Sequence, residues 1–224
     1  MWVLHLNNMT QLFKKNYIII KNAIDKDLTF FIYNYFLMKQ QVAKTLFECR
    51  YISPSETLFG HWSDTMIPNT YSHYADLVAE TLLLKLQPIM EKKTNLKLNP
   101  NYSYVRLYKK GDILHRHKDR PSCEISTTLN IGGDPWPIYL EPSGKKKLKG
   151  IKINLKPGDM LVYKGMKLEH WRDEFKGDIC AQIFLHYNNV KHKDATKNIF
   201  DTRKHLGLPG FFRDRKDLKL KYNN

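Results

Sequence analysis

Residues 102–119 read Tyr-Ser-Tyr-Val-Arg-Leu-Tyr-Lys-Lys-Gly-Asp-Ile-Leu-His-Arg-His-Lys-Asp, a stretch of β-formers, a turn and a closely spaced His and Asp. Tyr102 to Tyr108 is rich in β-formers and predicts a strand. Lys110-Gly111-Asp112 supplies the turn. In Leu114 to Asp119 an extended backbone puts residues i and i+2 on one face, so His117 and Asp119 aim a ring nitrogen and a carboxylate oxygen at the same point. His170, far along the chain, is the candidate that completes the set. Two imidazoles and one carboxylate on a triangular face leave the other octahedral positions open. That suits iron(II), which must take a chelating cosubstrate and then oxygen, whereas zinc hydrolases favour other ligand sets. The competing readings are a surface ion pair for His117 and Asp119, and a core imidazole for His170. His115 lies on the same strand face but outside the H-x-D spacing, and is expected to be a supporting or solvent residue.

Outward from this stretch, the texture after Pro100 is short alternating or β-branched runs broken by turn residues, the pattern of a sheet sandwich or barrel. The expected strands are Ile125 to Ile131, Ile138 to Glu141, Ile151 to Leu155, Met160 to Tyr163 and Ile179 to Tyr187. Gly132-Gly133-Asp134-Pro135 and Pro157-Gly158-Asp159 provide tight turns between them. Before the β-rich region, Tyr17 to Ile20 reads as a strand. Asp25 is placed to cap a helix in which Leu28, Phe31, Ile32, Tyr35 and Phe36 recur at helical spacing, continuing to about Phe47. A second helix is expected from Asn69 or Thr70, carrying Tyr74, Leu77, Val78, Thr81, Leu82 and Leu84 until Pro88 perturbs it. The expectation is a single domain over 1–224. In it 1–99 gives helical support plus outer strands, 100–189 is the β core and 190–224 is a basic C-terminal tail.

The 224 residues are 42% hydrophobic and 12% aromatic, enough to form a core, which excludes a disordered chain. Thirty-seven Lys and Arg against 22 Asp and Glu give a formal charge of +15. The excess is mostly diffuse lysine, with clusters only at Lys145 to Lys149 and from Lys191 to Lys221, so it is a weak pointer to polyanions. Cys49, Cys123 and Cys180 are odd in number and far apart, which argues against a disulfide framework and for a reducing compartment. No run of about 18 apolar residues occurs. The expectation is a soluble cytoplasmic protein without a membrane partner.

Tyr108, Gly111, the His117-x-Asp119 pair, the Pro157-Gly158-Asp159 turn and His170 just before the last core strand together resemble the iron(II)/2-oxoglutarate-dependent oxygenase superfamily, on its prolyl 4-hydroxylase-like side. The resemblance covers about the C-terminal two-fifths of the chain. It implies a mainly β fold with flanking helices, a double-stranded β-helix (jelly-roll, cupin-like) core with the metal near its open mouth. It implies Fe(II), 2-oxoglutarate as cosubstrate and O2, with ascorbate as an accessory reductant. The implied reaction couples decarboxylation of 2-oxoglutarate to hydroxylation of a substrate. Carried over by position, His117, Asp119 and His170 become metal ligands, and Tyr108 contacts the cosubstrate. The chain departs from the pattern at the basic residue that relatives place about nine to eleven positions after the distal histidine, where it has Ile179, Cys180 and Ala181. A buried dianion still needs a cation. Arg106 is the first replacement candidate and Arg172 the second, with Gln182 as a neutral hydrogen-bond partner.

Trp62, Trp136 and Trp171 with Arg116 and Arg120 are candidates for a substrate rim against the alternative of core packing. Residues 53–71 and 132–150 are the loops expected to set specificity. Cys123 and Cys180 are expected to be buried apolar residues, and His61 and His73 to pack within the N-terminal part. The primary functional expectation is a hydroxylase acting on a small molecule or peptide, for instance a peptidyl or free amino acid such as proline. The alternatives are an oxidative nucleic-acid demethylase and a non-catalytic β-barrel binding protein.

Overall fold

The computed structural model describes residues 15–146 and 148–215, so expectations for the extreme N-terminus, for Lys147 and for the end of the basic tail lie outside the described residues. The chain begins with β1 (Tyr17–Ile20) and α1 (Lys26–Glu48). Asp25 caps α1 as expected, its carboxylate accepting the Leu28 N–H at 2.8 Å. Then come β2 (Tyr71–Tyr74) and α2 (Leu77–Thr94).

The second helix therefore starts later than the apolar spacing suggests. Residues 71–74 pair with the following strand, and Asp76 is the true cap, accepting from the Val78 and Ala79 N–H groups. Pro88 does not end α2; it sits within it beside exposed Leu84 and Ile89, and the helix stops at Asn95, which adopts a left-handed φ of 55°.

The β region comprises β3 (Leu98–Lys109), β4 (Leu114–His117), β5 (Ile125–Gly133), β6 (Ile138–Leu140), β7 (Ile151–Ile153), β8 (Met160–Lys164), β9 (His170–Arg172) and β10 (Ile179–Asn189). β3 and β10 run longer than their sequence runs predicted, and β9 was not anticipated as a strand. A six-stranded sheet has the order β1-β8-β5-β10-β3-β2, and a four-stranded sheet the order β4-β9-β6-β7. Each strand pairs antiparallel with its neighbours.

The register sorts the large sheet into two faces. Val105, Leu107, Ala181, Ile183, Leu185, Leu129, Met160 and Val162 lie on the outer face and pack with Ile32, Phe36, Leu83, Leu86 and Met90 of the two helices. Burying each of these side chains other than Ala181 contributes about 1.5–3 kcal/mol. The inner face carries Tyr102, Tyr104, Arg106 and Tyr108 of β3, Cys180, Gln182, Phe184 and His186 of β10, and Ser126 of β5. The small sheet closes over this face.

Past β10, the chain forms a short helix α3 (Ala195–Asn198) and folds back on the large sheet. Arg203 is clamped to Glu80 of α2 by a buried 2.7 Å ion pair. Asp201 binds Arg120 through two hydrogen bonds, at 2.8 and 2.7 Å. No helix among the described residues is long and apolar enough to cross a membrane.

Candidate metal centre

β4 delivers His117 and β9 delivers His170 as direct register partners. Asp119 is not on the strand as expected. It lies two residues past the end of β4, where its backbone N–H donates to the Gly165 carbonyl at 3.0 Å and so fixes the loop. The three residues still converge. Asp119 Oδ1 is 3.7 Å from His117 Nε2 and 3.5 Å from His170 Nε2, and one ligand atom from each residue lies within 4.8 Å of the other two.

Backbone carbonyls set both tautomers. His117 Nδ1 is 2.7 Å from the His115 carbonyl and His170 Nδ1 is 3.2 Å from the Leu168 carbonyl. Each carbonyl can only accept, so each Nδ1 carries a proton, and in the neutral ring Nε2 is the nitrogen free to ligate a metal. The exposed His115 thus contributes its carbonyl rather than its ring. Burial, followed by the neighbouring His170, lowers the His117 pKa and keeps that ring neutral. Burial alone would raise the Asp119 carboxyl, but the adjoining His170 ring, then His186 and the hydroxyl that Ser126 donates to it, outweigh burial and hold the group well below the usual carboxylate range. Two imidazoles that turn Nε2 inward and one carboxylate make a donor set that fits iron(II).

These residues sit in a cavity of about 780 Å³. Its walls include Asp64, Met66, Tyr74, Tyr104, Phe184 and Phe211, with Arg120 and Arg213 at the edge. Several expected rim residues are elsewhere. Trp136 packs inside against Tyr108 and Phe175, Trp171 stacks on Tyr139 and Arg116, and Trp62 lies against Tyr71 and Phe47. Of the two expected specificity loops, 53–71 lines the cavity at several positions, His61 among them, and 132–150 contributes only Ile138 among the described residues. His73 is buried, as expected, against Asp76. Cys123 and Cys180 are buried too, and burial pushes the Cys123 thiol up to about 12.

The candidate cosubstrate residues separate clearly. Arg106 lines the cavity, but its Nε and Nη2 both donate to Asp64 Oδ2, at 3.2 and 2.5 Å, and Tyr104 donates to the same oxygen at 2.6 Å. Burial would raise the Asp64 carboxyl; Arg106 outweighs it and keeps Asp64 charged. Arg106 is therefore already neutralised. Arg172 is 1% exposed and forms no ion pair among the described residues. Its Nη1 donates to the Trp136 carbonyl and its Nη2 to Thr128 Oγ1 at 3.4 Å, while its Nε has no hydrogen-bond partner among the described residues. Tyr108 Oη, also buried, has none either. Gln182 accepts from Thr128 and donates to the Cys180 sulfur.

The sequence reading missed Ser126, Tyr163, His186 and Phe211. Ser126 Oγ donates to Asp119 Oδ2 at 2.6 Å, and Tyr163 Oη lies 3.2 Å from His170 Nε2. The signal for His186 was present in the alternation Cys180, Gln182, Phe184, His186, which shares one face with Arg106 and Tyr108.

No family model matches the sequence, and no curated protein matches it. The fold does match solved structures. A prolyl-4-hydroxylase from Pseudomonas putida superposes with a TM-score of 0.60 at 12% identity, covering 82% of this chain and 98% of that one. A prolyl hydroxylase from Trichoplax adhaerens, solved with a hypoxia-inducible-factor peptide, gives 0.57 at 16% identity over 84% and 90%. HygX from Streptomyces hygroscopicus, solved with nickel and 2-oxoglutarate, gives 0.55 at 12% identity over 83% and 87%. The chain therefore shares the double-stranded β-helix fold of these solved structures, at 12–16% sequence identity.

Proposed function

We propose that this protein is an iron(II)- and 2-oxoglutarate-dependent oxygenase that hydroxylates a small-molecule or peptide substrate, with His117, Asp119 and His170 as the metal ligands. The observation that carries the reading is the meeting of two Nε2 lone pairs and one carboxylate oxygen in the cavity, each imidazole held in the tautomer that ligation requires. Iron(II) held there would supply oxygen activation, driven by the decarboxylation of 2-oxoglutarate to succinate.

The chain's own residues support the cosubstrate. Arg172 projects from the same strand as His170, two positions on, and so shares its face. A buried guanidinium without a carboxylate partner is costly by several kcal/mol, and an anion beside it would remove that cost. Its charge acts on the Cys180 thiol, at the position where relatives carry their basic residue. The cation thus reaches that region from β9 instead of from β10. Arg172 and Tyr108, with their unpartnered Nε and Oη, are the groups we assign to the distal carboxylate of 2-oxoglutarate, with Gln182 orienting Thr128 behind them. Arg106 serves instead as the partner of Asp64 and shapes the substrate wall.

A substrate that is a small molecule or a peptide suits a cavity walled by Tyr74, Tyr104, Phe184 and Phe211. Of the cations that line it, Arg106 is paired with Asp64, and Arg120 and Arg213 with Asp201, so Lys118 alone has no ion pair among the described residues. That leaves little free cation for a phosphate backbone, so oxidation of nucleic acid is not favoured.

The test is oxygen-dependent formation of succinate from 2-oxoglutarate on addition of Fe(II), followed by mass spectrometry. Wild type should form succinate and Asp119→Ala should not. Equal succinate from both would overturn the assignment.

A further inference from the structure

The Asp119 carboxylate is divided between two tasks. Oδ1 faces the two Nε2 atoms, and Oδ2 accepts the Ser126 hydroxyl at 2.6 Å. Ser126 has one proton to give. The Cys123 carbonyl, at 3.0 Å, also lies within its reach, but the carboxylate is nearer and charged and takes the stronger bond. With that proton committed, the remaining contact of the hydroxyl, to His186 Nδ1 at 3.1 Å, can be made only if Nδ1 is the donor. His186 is therefore held in the Nδ1–H tautomer and presses the Ser126 hydroxyl towards Asp119. Its ring lies along Tyr102, with centroids 4.5 Å apart, on the cavity wall.

The surrounding backbone is shaped for this contact. A Cβ at Gly165 would lie 2.3 Å from Asp119 Oδ2, 2.4 Å from Ser126 Oγ and 2.5 Å from the Cys123 carbonyl. Even one methyl group there would break the arrangement. Gly165 also accepts the Asp119 N–H, so it both aims the carboxylate and leaves it room.

We infer that Ser126 and His186 are a positioning pair which, by occupying Oδ2, restricts Asp119 to one coordination position on the metal. This rests on the reading of Asp119 as a metal ligand given above. Its consequence follows from counting. Three protein donors leave three octahedral positions, two for a chelating 2-oxo acid and one for oxygen. A carboxylate bound through both oxygens would take the last of these.

The experiment is an anaerobic titration with Co(II), read by its visible absorption, on folded wild type, Ser126→Ala, His186→Asn and His186→Phe, with circular dichroism as the check on folding. Outer hydrogen bonds to a metal ligand are typically worth 10–100-fold in affinity. Ser126→Ala should bind Co(II) at least about 10-fold more weakly than wild type and with a shifted spectrum. His186→Asn, whose amide N–H can replace the Nδ1 donor, should stay close to wild type, whereas His186→Phe should behave like Ser126→Ala. Unchanged affinity and spectrum in Ser126→Ala, or equal behaviour of the two His186 variants, would overturn the pairing while leaving the metal site standing. Failure of wild type to bind Co(II) would remove the metal site itself, and the pairing with it.

Discussion

The two faces of the six-stranded sheet are built from the same strands, yet they do different work. On the outer face Val105, Leu107, Ala181, Ile183 and Leu185 are all aliphatic and lie against the two helices. One residue along each strand, the inner face reads Tyr104, Arg106, Tyr108, Cys180, Gln182, Phe184 and His186. The outer face holds the fold through area removed from water, which tolerates exchange of one apolar side chain for another of similar volume. The inner face is buried but polar, so each group needs a named partner: Asp64 for Arg106, Ser126 for His186, Thr128 for Gln182. Tyr108 Oη on this face, and Arg172 Nε on β9 of the small sheet, are without such a partner among the described residues, and there a ligand is expected. Stability and chemistry are thus separated by a single step along the strand.

Variants that act on one face and not the other would sharpen that division. The largest effect is expected from His117→Ala or Asp119→Ala, either of which should weaken Fe(II) binding by more than about 1,000-fold, close to 4 kcal/mol. Thermal unfolding of the metal-free protein should change little, and a large drop in its melting temperature would show that the site also carries the fold. Next is Ile183→Ala on the outer face. Loss of a fully buried isoleucine should cost about 3 kcal/mol in denaturant unfolding, with the metal affinity of the folded fraction unchanged.

On the inner face Arg172→Gln should raise the dissociation constant for 2-oxoglutarate by about 100-fold, or 2.7 kcal/mol, in an anaerobic titration of the iron-loaded protein. Arg106→Gln should change it by less than about 10-fold, because that charge is matched to Asp64. The reverse ranking would return the anchor to Arg106.

The smallest effect is a shared response to acid. Burial lowers both His73, on the outer face, and His186, on the inner face, to about 4. Protonation in the unfolded chain occurs near 6.5, so the unfolded state binds more protons between these values. Stability is then complete above pH 6.5 and is lost as the pH falls towards 4. Urea unfolding of the metal-free protein at pH 5.5 against 6.5 should show a loss of about 1 kcal/mol for each histidine. His186→Asn should remove one share, and an unchanged pH response in that variant would contradict its burial as a neutral imidazole.

The sequence made the strands of the large sheet legible because their period-two pattern is strong: Tyr102 to Tyr108 and Ile179 to Tyr187 alternate between the faces just described. The first helix was legible through Asp25 and its apolar stripe. The second was displaced because Tyr74, Leu77 and Val78 stand at helical spacing and draw the start of the helix back over 71–74, which pairing of Tyr71 with Leu107 and His73 with Val105 makes a strand. β9 is three residues long, too short for any periodicity to announce it. The metal-ligand candidates were legible as residue types at a characteristic spacing. Their supports were not, because Ser126, Gly165 and His186 meet Asp119 only through the crossing of β5, β8 and β10. The pairing of Arg106 with Asp64, 42 positions away, was not legible either, because nothing in the local sequence ties the two together.

We propose that His117, Asp119 and His170 together hold one iron(II) with enough open positions for a chelating 2-oxo acid. This is tested most directly by anaerobic titration of the purified protein with Fe(II) and 2-oxoglutarate, watching for the weak visible charge-transfer band of the bidentate complex. The structure predicts a band that saturates at one iron per chain and is missing in His170→Ala. No band in wild type, or the same band in that variant, would contradict it.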